Sequence, residues 1–263
     1  MSKKSLIKSL TLTAALSSFS FLAHSETVFT VAFEDKAQFP YYMGNSSTVL
    51  ADKPGATVEL IQRLESKIPG LKVVFSRCPV KRCLNDLETG AVDALFNLSF
   101  KESRLAMGAY PWKDGSVDTD RKLTTINYSF YKKKGTDFAW DGQNTSGTVK
   151  TIGAPAGYSI VGDLKKMGLK VSEATSTKSN LKKLDAGRVS AVALQDTKGD
   201  IMIKAPEFSS IEKVETPIKA KPYYLVLSNQ FKAKDAAMAE NIWNELAKLR
   251  DQEFDKITEK YYN

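Results

Sequence analysis

The stretch LNDLETGAVDALFNLS, residues 84–99, returns as LKKLDAGRVSAVALQD, residues 181–196. Leu84, Leu87, Gly90, Val92 and Ala94 recur as Leu181, Leu184, Gly187, Val189 and Ala191, all at one offset of 97 residues. Each copy reads as the end of an amphipathic helix, a glycine at the C′ position and then a short buried strand. Leu-x-x-Leu is common by itself. Five matches in register, at about a lobe's length, predict two related α/β lobes rather than a solenoid.

The segments outside the echo fit the same scheme. GATVELIQRLESK (55–67) places Val58, Ile61 and Leu64 on one helical face, and LKVVFS (71–76) follows as a strand. LTTINYSFY (123–131) alternates, with Ile126, Tyr128 and Phe130 facing one way. GYSIVGDLKKMG (157–168) puts Ile160, Leu164 and Met167 on a stripe closed by Gly168. PYYLVLSN (222–229) reads as a strand, and Met238, Ile242, Leu246 and Leu249 recur at helical spacing near the C-terminus. Helices alternating with strands predict a mostly parallel sheet in each lobe, and ligands of such sheets bind beyond the carboxyl ends of the strands. NLSFKESR (97–104) and QDTKGD (195–200) both follow an echoed strand, so the two loops are expected to face one another across a cleft.

Lys3, Lys4 and Lys8 precede an apolar run from Leu10 to Leu22, and Ala23-His24-Ser25 offers small residues for cleavage. This order predicts a signal peptide over residues 1–25 and an exported, periplasmic protein. The run is too short and too interrupted by Thr and Ser to span a membrane, which takes about 20 apolar residues. Losing the three lysines takes the formal charge from +8 to +5. Lys132-Lys133-Lys134 is the densest basic cluster, and charges of both signs are scattered, which argues against a nucleic-acid partner. The single histidine, His24, falls in the leader, so Ser-His-Asp and Cys-His catalysis and histidine-ligated metals are excluded from the mature chain. No cofactor is expected. Cys78 and Cys83 form an even, close pair that an oxidising compartment would join as a disulfide; the alternative, a reactive or metal-binding thiol, lacks partner ligands.

Several motifs, in order, resemble the family 3 extracellular solute-binding proteins, the polar amino-acid-binding type of periplasmic binding protein. They are FEDKAQFPYY (33–42), PGATVELIQRL (54–64), CPVKRCLNDLETGAVDALFNLSFKESR (78–104), TIGAPAGYSI (151–160), LDAGRVSAVALQD (184–196) and KPYYLVLSNQF (221–231). The resemblance implies the type II two-lobed α/β fold joined by two crossover strands, here INYSFY and YYLVLS. Residues 26–128 with 226–263 would form lobe one, and 129–225 lobe two. It also implies a monomer that closes around a small solute and delivers it to an ABC permease.

Arg104 matches the family arginine that holds a ligand carboxylate, a role suited to a planar guanidinium that keeps its charge. The alternative is a surface arginine paired with Glu102. Ser99 would add a hydroxyl to the same carboxylate, or cap a turn. Gly157, Tyr158 and Ser159 would offer backbone N–H groups from lobe two, with Ser159 otherwise only a helix cap. Family members place an acidic residue eight positions after the echoed glycine, to hold a ligand ammonium. Here that position is Gln195, with Asp196 one further along as either a second candidate or the N-cap of the next helix. Tyr41, Tyr42 and Tyr110 are expected to cover the ligand, while Phe33, Trp140 and Trp243 read as packing. Residues 112–123 are longer than the usual link to the crossover strand and are expected to form a flap or an extra turn.

These features predict a binding protein without chemistry of its own, whose ligand is a small carboxylate-bearing solute, an amino acid or a relative of one. Two alternatives remain: a dehydratase-like enzyme on the same fold, using groups such as Glu34, Asp35 or Asp196, and a sensor partner that presents its ligand to a receptor.

Overall fold

A computed structural model describes residues 26–262; the predicted signal peptide lies outside the described residues. Strand β1 (Thr27–Glu34) runs parallel to β2 (Leu71–Cys78) and to β3 (Ala94–Ser99). Strand β5 (Ile152–Pro155) likewise runs parallel to β6 (Val171–Ala174) and β7 (Ala191–Gln195). Between these units lie two long strands, β4 (Thr124–Lys133) and β9 (Lys219–Leu227), which pair antiparallel with each other over Thr124–Tyr128 and Lys219–Tyr223. Beyond that shared stretch β4 continues along β7, and β9 continues along β3. The short strand β8 (Ile211–Lys213) also pairs with β4. One curled nine-stranded sheet results, in the order β6-β5-β7-β4-β9-β3-β1-β2 with β8 beside β4. Each crossing strand therefore belongs to both units, and the junction between them is made of backbone ladder rather than loop.

The helices cover the sheet where the periodicity requires. Those of seven residues or more are α1 (Ala56–Gln62), α2 (Val80–Thr89), α3 (Ile160–Lys166), α4 (Thr177–Asp185), α5 (Asp196–Met202) and α6 (Ala236–Glu259). The echo survives in three dimensions. Gly90 caps α2 at φ 74°, Gly187 follows α4 at φ 67°, and both segments then enter a buried strand, β3 or β7. Cys78, at the end of β2, is joined to Cys83 in α2 by a disulfide.

Two local readings change. The single helix expected over 55–67 breaks at Arg63 into α1 and a short turn, Leu64–Lys67, although Val58, Ile61 and Leu64 are all buried as expected. Helix α3 ends at Lys166, so Met167 leaves the apolar stripe and is 38% exposed. Residues 112–123 form a small hairpin (Trp112–Lys113 with Ser116–Val117) and a 3-10 turn. Arg121 holds this piece by ion pairs to Asp118 and to Glu240 of α6. It is an extra turn docked on the C-terminal helix. Among the described residues no helix is long and apolar enough to cross a membrane.

Candidate functional site

The carboxyl ends of β1, β3 and β7 converge where the crossing strands meet, around a cavity of about 30 Å³. Arg104 lines it from a 3-10 turn after β3 and is only 5% exposed. Its Nη1 donates to the Ser99 carbonyl at 2.7 Å and its Nη2 to the Gly157 carbonyl at 2.9 Å, one partner from each unit. No carboxylate pairs with it among the described residues, and the reading of a surface arginine paired with Glu102 fails on its burial. The Ser99 and Ser159 hydroxyls meet at 2.6 Å across the cleft. Lys221, buried on β9, donates to Ser159 Oγ at 2.9 Å and is ion-paired with Asp163 of α3. Desolvation lowers the pKa of this ammonium, and the Asp163 charge opposes that shift.

A second wall is built from amides and phenols. Asn97 interrupts the apolar run of β3. Its φ is 63°, and β9 skips a partner opposite it, Tyr224 facing Leu98 and Leu225 facing Phe96. Such a bulge re-aims a side chain, and asparagine tolerates the left-handed region better than most residues. The Asn97 amide donates to Gln38 Oε1 at 3.0 Å, Gln38 Nε2 donates to Gln195 Oε1 at 2.9 Å, and Gln195 Nε2 donates to the Tyr223 hydroxyl at 2.7 Å. Tyr223 and Tyr128 share a hydroxyl contact of 2.8 Å. Burial raises the pKa of both phenols, so this wall is uncharged.

The third element is an ion pair across the cleft. Glu34, at the end of β1, accepts from Lys198 Nζ and from the Tyr158 hydroxyl, both at 2.7 Å. The two charged side chains are 12% and 9% exposed. Lys198 reaches this position because α5 packs tightly on β4: a Cβ on Gly199 would lie 2.3 Å from the Tyr131 ring. Burial and the Glu34 charge push the Tyr158 and Tyr42 phenols well above their ordinary range. Beyond Glu34 and Tyr158 a wider pocket of about 690 Å³ continues, with Phe39, Met43 and Ile201 among its walls.

Of the residues singled out in the sequence, Arg104, Ser99, Tyr42, Tyr158, Ser159 and Gln195 line the cavity. Ser159 opens α3 without capping it, its hydroxyl being committed to the cleft. Gly157 contributes its carbonyl, to Arg104, in place of the N–H expected of it. Three other residues singled out in the sequence do not line the cavity. Tyr41 turns the opposite way from its neighbour Tyr42 and stacks on Phe254 of α6, because Gln38 and Tyr42 form the bridge that faces the cleft. Tyr110 stands behind the wall, donating to the Ser99 carbonyl at 3.0 Å; burial pushes its pKa up to about 12 against the lowering effect of Arg104. Asp196 is the first residue of α5 rather than its cap, and it pairs with Lys213 at 2.9 Å, away from the cavity. Sequence reasoning missed Gln38, Asn97, Lys198 and Lys221. Only Asn97 carried a signal, as a polar residue inside a buried strand.

The chain matches no family model and no curated protein. Solved structures do match its fold. A histidine kinase sensor domain with similarity to periplasmic binding proteins superposes with a TM-score of 0.70 at 17% identity, covering 90% of this chain and 96% of that one. An ancestral arginine-binding protein bound to glutamine gives 0.66 at 20% identity, covering 89% and 97%. The substrate-binding protein of an amino acid ABC transporter gives 0.63 at 16%, covering 90% and 99%. At these identities the likeness defines the fold: the chain has the two-lobed periplasmic-binding-protein architecture.

Proposed function

We propose that this chain is a periplasmic solute-binding protein that captures a small carboxylate-bearing solute by lobe closure and hands it to an ABC permease. Residues 26–128 with 226–263 act as one lobe and 129–225 as the other. The observation that carries this reading is Arg104, a buried guanidinium with no carboxylate partner among the described residues, set at the seam between the units beside two hydroxyls. A cavity of about 30 Å³ holds little more than water, so a solute enters by parting the cross-cleft bonds. It then replaces the Ser99–Ser159 and Arg104–Gly157 contacts with its own, and differential affinity for the closed form drives closure. Glu34 and Lys221, the groups best placed for proton transfer, are each tied into an ion pair, which favours binding over catalysis. The likeness to a kinase sensor domain supports a second reading, in which the closed form is presented to a membrane receptor.

Thermal unfolding of ligand-stripped protein against a panel of small carboxylates tests the proposal. A compound at one hundred times its Kd adds about 2.7 kcal/mol, or roughly 5–10 °C for a chain of this size. The shift is expected to vanish in Arg104→Ala. A panel without any shift, or a shift that Arg104→Ala leaves intact, refutes the carboxylate reading.

A further inference from the structure

The charges around the cavity do not cancel, and the remainder says what kind of carboxylate fits. Glu34 and Arg104 line the cavity, and Lys198, Lys221 and Asp163 stand directly behind the wall. Glu34 is neutralised by Lys198, and Asp163 by Lys221. Of the charged side chains that line the cavity or bond to a lining side chain, Arg104 alone has no ion-pair partner among the described residues. A ligand of net charge −1 closes this account. A zwitterion leaves one positive charge buried, and its ammonium would also need a desolvated acceptor.

The one carboxylate lining the cavity, Glu34, already has its charge paired with Lys198, so an ammonium would meet no unspent negative charge. The Glu34 oxygen already takes Lys198 and Tyr158, and the rest of the wall consists of the neutral groups Gln38, Asn97, Gln195, Tyr128 and Tyr223. An ammonium facing amides would lose its hydration without gaining a charged partner, and Arg104 and Lys221 would repel it. Among these neutral groups one acceptor is buried and unused: Asn97 Oδ1 is without a partner among the described residues. A buried carbonyl oxygen left unpaired is costly, and a ligand hydroxyl would satisfy it without adding charge.

We infer that the ligand is a hydroxycarboxylate of net charge −1, its carboxylate on Arg104 and its hydroxyl donating to Asn97 beside Gln195, rather than a zwitterionic amino acid. The inference rests on the carboxylate reading above and names its substrate class.

Matched trios that share a side chain provide the test: alanine, lactate and pyruvate; leucine, 2-hydroxyisocaproate and 2-oxoisocaproate; phenylalanine, phenyllactate and phenylpyruvate. Titration calorimetry on the ligand-stripped protein reads the Kd of each. In at least one trio the hydroxy acid is expected to bind about tenfold or more tighter than both relatives, since a site built to pair a hydroxyl rejects analogues that lack it. Gln195→Glu is nearly isosteric and adds the missing carboxylate, so it should move the amino-to-hydroxy affinity ratio about tenfold or more toward the amino acid. An amino acid or oxo acid that binds as tightly as its hydroxy partner, with dependence on Arg104, overturns this inference and leaves the carboxylate reading standing. An unchanged ratio in folded Gln195→Glu also overturns it. Absence of binding by every compound brings down both readings. If Gln195→Glu does not fold, the wild-type ranking decides alone.

Discussion

Replacing Lys198 by methionine should open the molecule. Its ammonium lies 2.7 Å from Glu34, and both side chains are almost sealed from water. At an effective dielectric of about 20, charges at that separation attract by roughly 6 kcal/mol before desolvation is counted. Desolvation takes back much of this, and removing one partner of a buried pair typically costs about 3–5 kcal/mol because the other charge is stranded. Here the stranded Glu34 keeps the Tyr158 hydroxyl, and it regains water when the lobes part. We therefore expect about 2 kcal/mol to appear in the closure equilibrium, roughly a thirtyfold shift toward open forms. Small-angle scattering of ligand-free protein should show a larger radius of gyration for Lys198→Met than for wild type. The double variant Glu34→Gln/Lys198→Met, which strands no charge, should recover compactness, giving a coupling of about 1–3 kcal/mol in a double-mutant cycle. An unchanged scattering profile and unchanged Tm in Lys198→Met would show that the pair does not hold the cleft. Additive single effects would refute the coupling.

Two further outcomes follow from the same structure. Removing the Cys78–Cys83 bridge with a double alanine substitution frees a short loop, worth about 2 kcal/mol in chain entropy, so Tm should fall by about 4–8 °C in a calorimetric scan. Tyr110 has its folded pKa raised to about 12, above the unfolded value near 10. Its contribution is thus complete below pH 10 and is lost as the pH climbs from about 10 to about 12, where the unfolded chain sheds the proton first. Denaturant titrations of wild type and Tyr110→Phe across that window should differ in slope by an amount that sums to about 2–3 kcal/mol, and parallel curves would refute the assignment.

The lobed architecture was legible because its signals are local. A helix face, a C′ glycine and a buried strand each occupy a few consecutive residues, and repeating them at one spacing exposes the pairing of the two units. Ser99 belonged to that same run, with Arg104 five residues beyond it, and Gln195 belonged to the second copy. Tyr41 and Tyr42 mark where local reading ends. Both are aromatic and adjacent, and only the bridge between Gln38 and Tyr42 determines which ring meets the cleft and which meets Phe254.

From the sequence alone came the echo, the alternation of helices and strands, the absence of histidine downstream of His24 and the candidate arginine. Tertiary structure alone decided the electrostatics. Glu34 and Lys198 are separated by 164 positions in the chain yet form the cross-cleft pair, and Lys221 meets Asp163 from the far crossing strand. Whether a buried charge is free or spent depends on partners brought from distant segments, because the interaction depends on separation in space and on exclusion of water. Periodicity records which way a side chain faces; it carries no trace of what stands opposite.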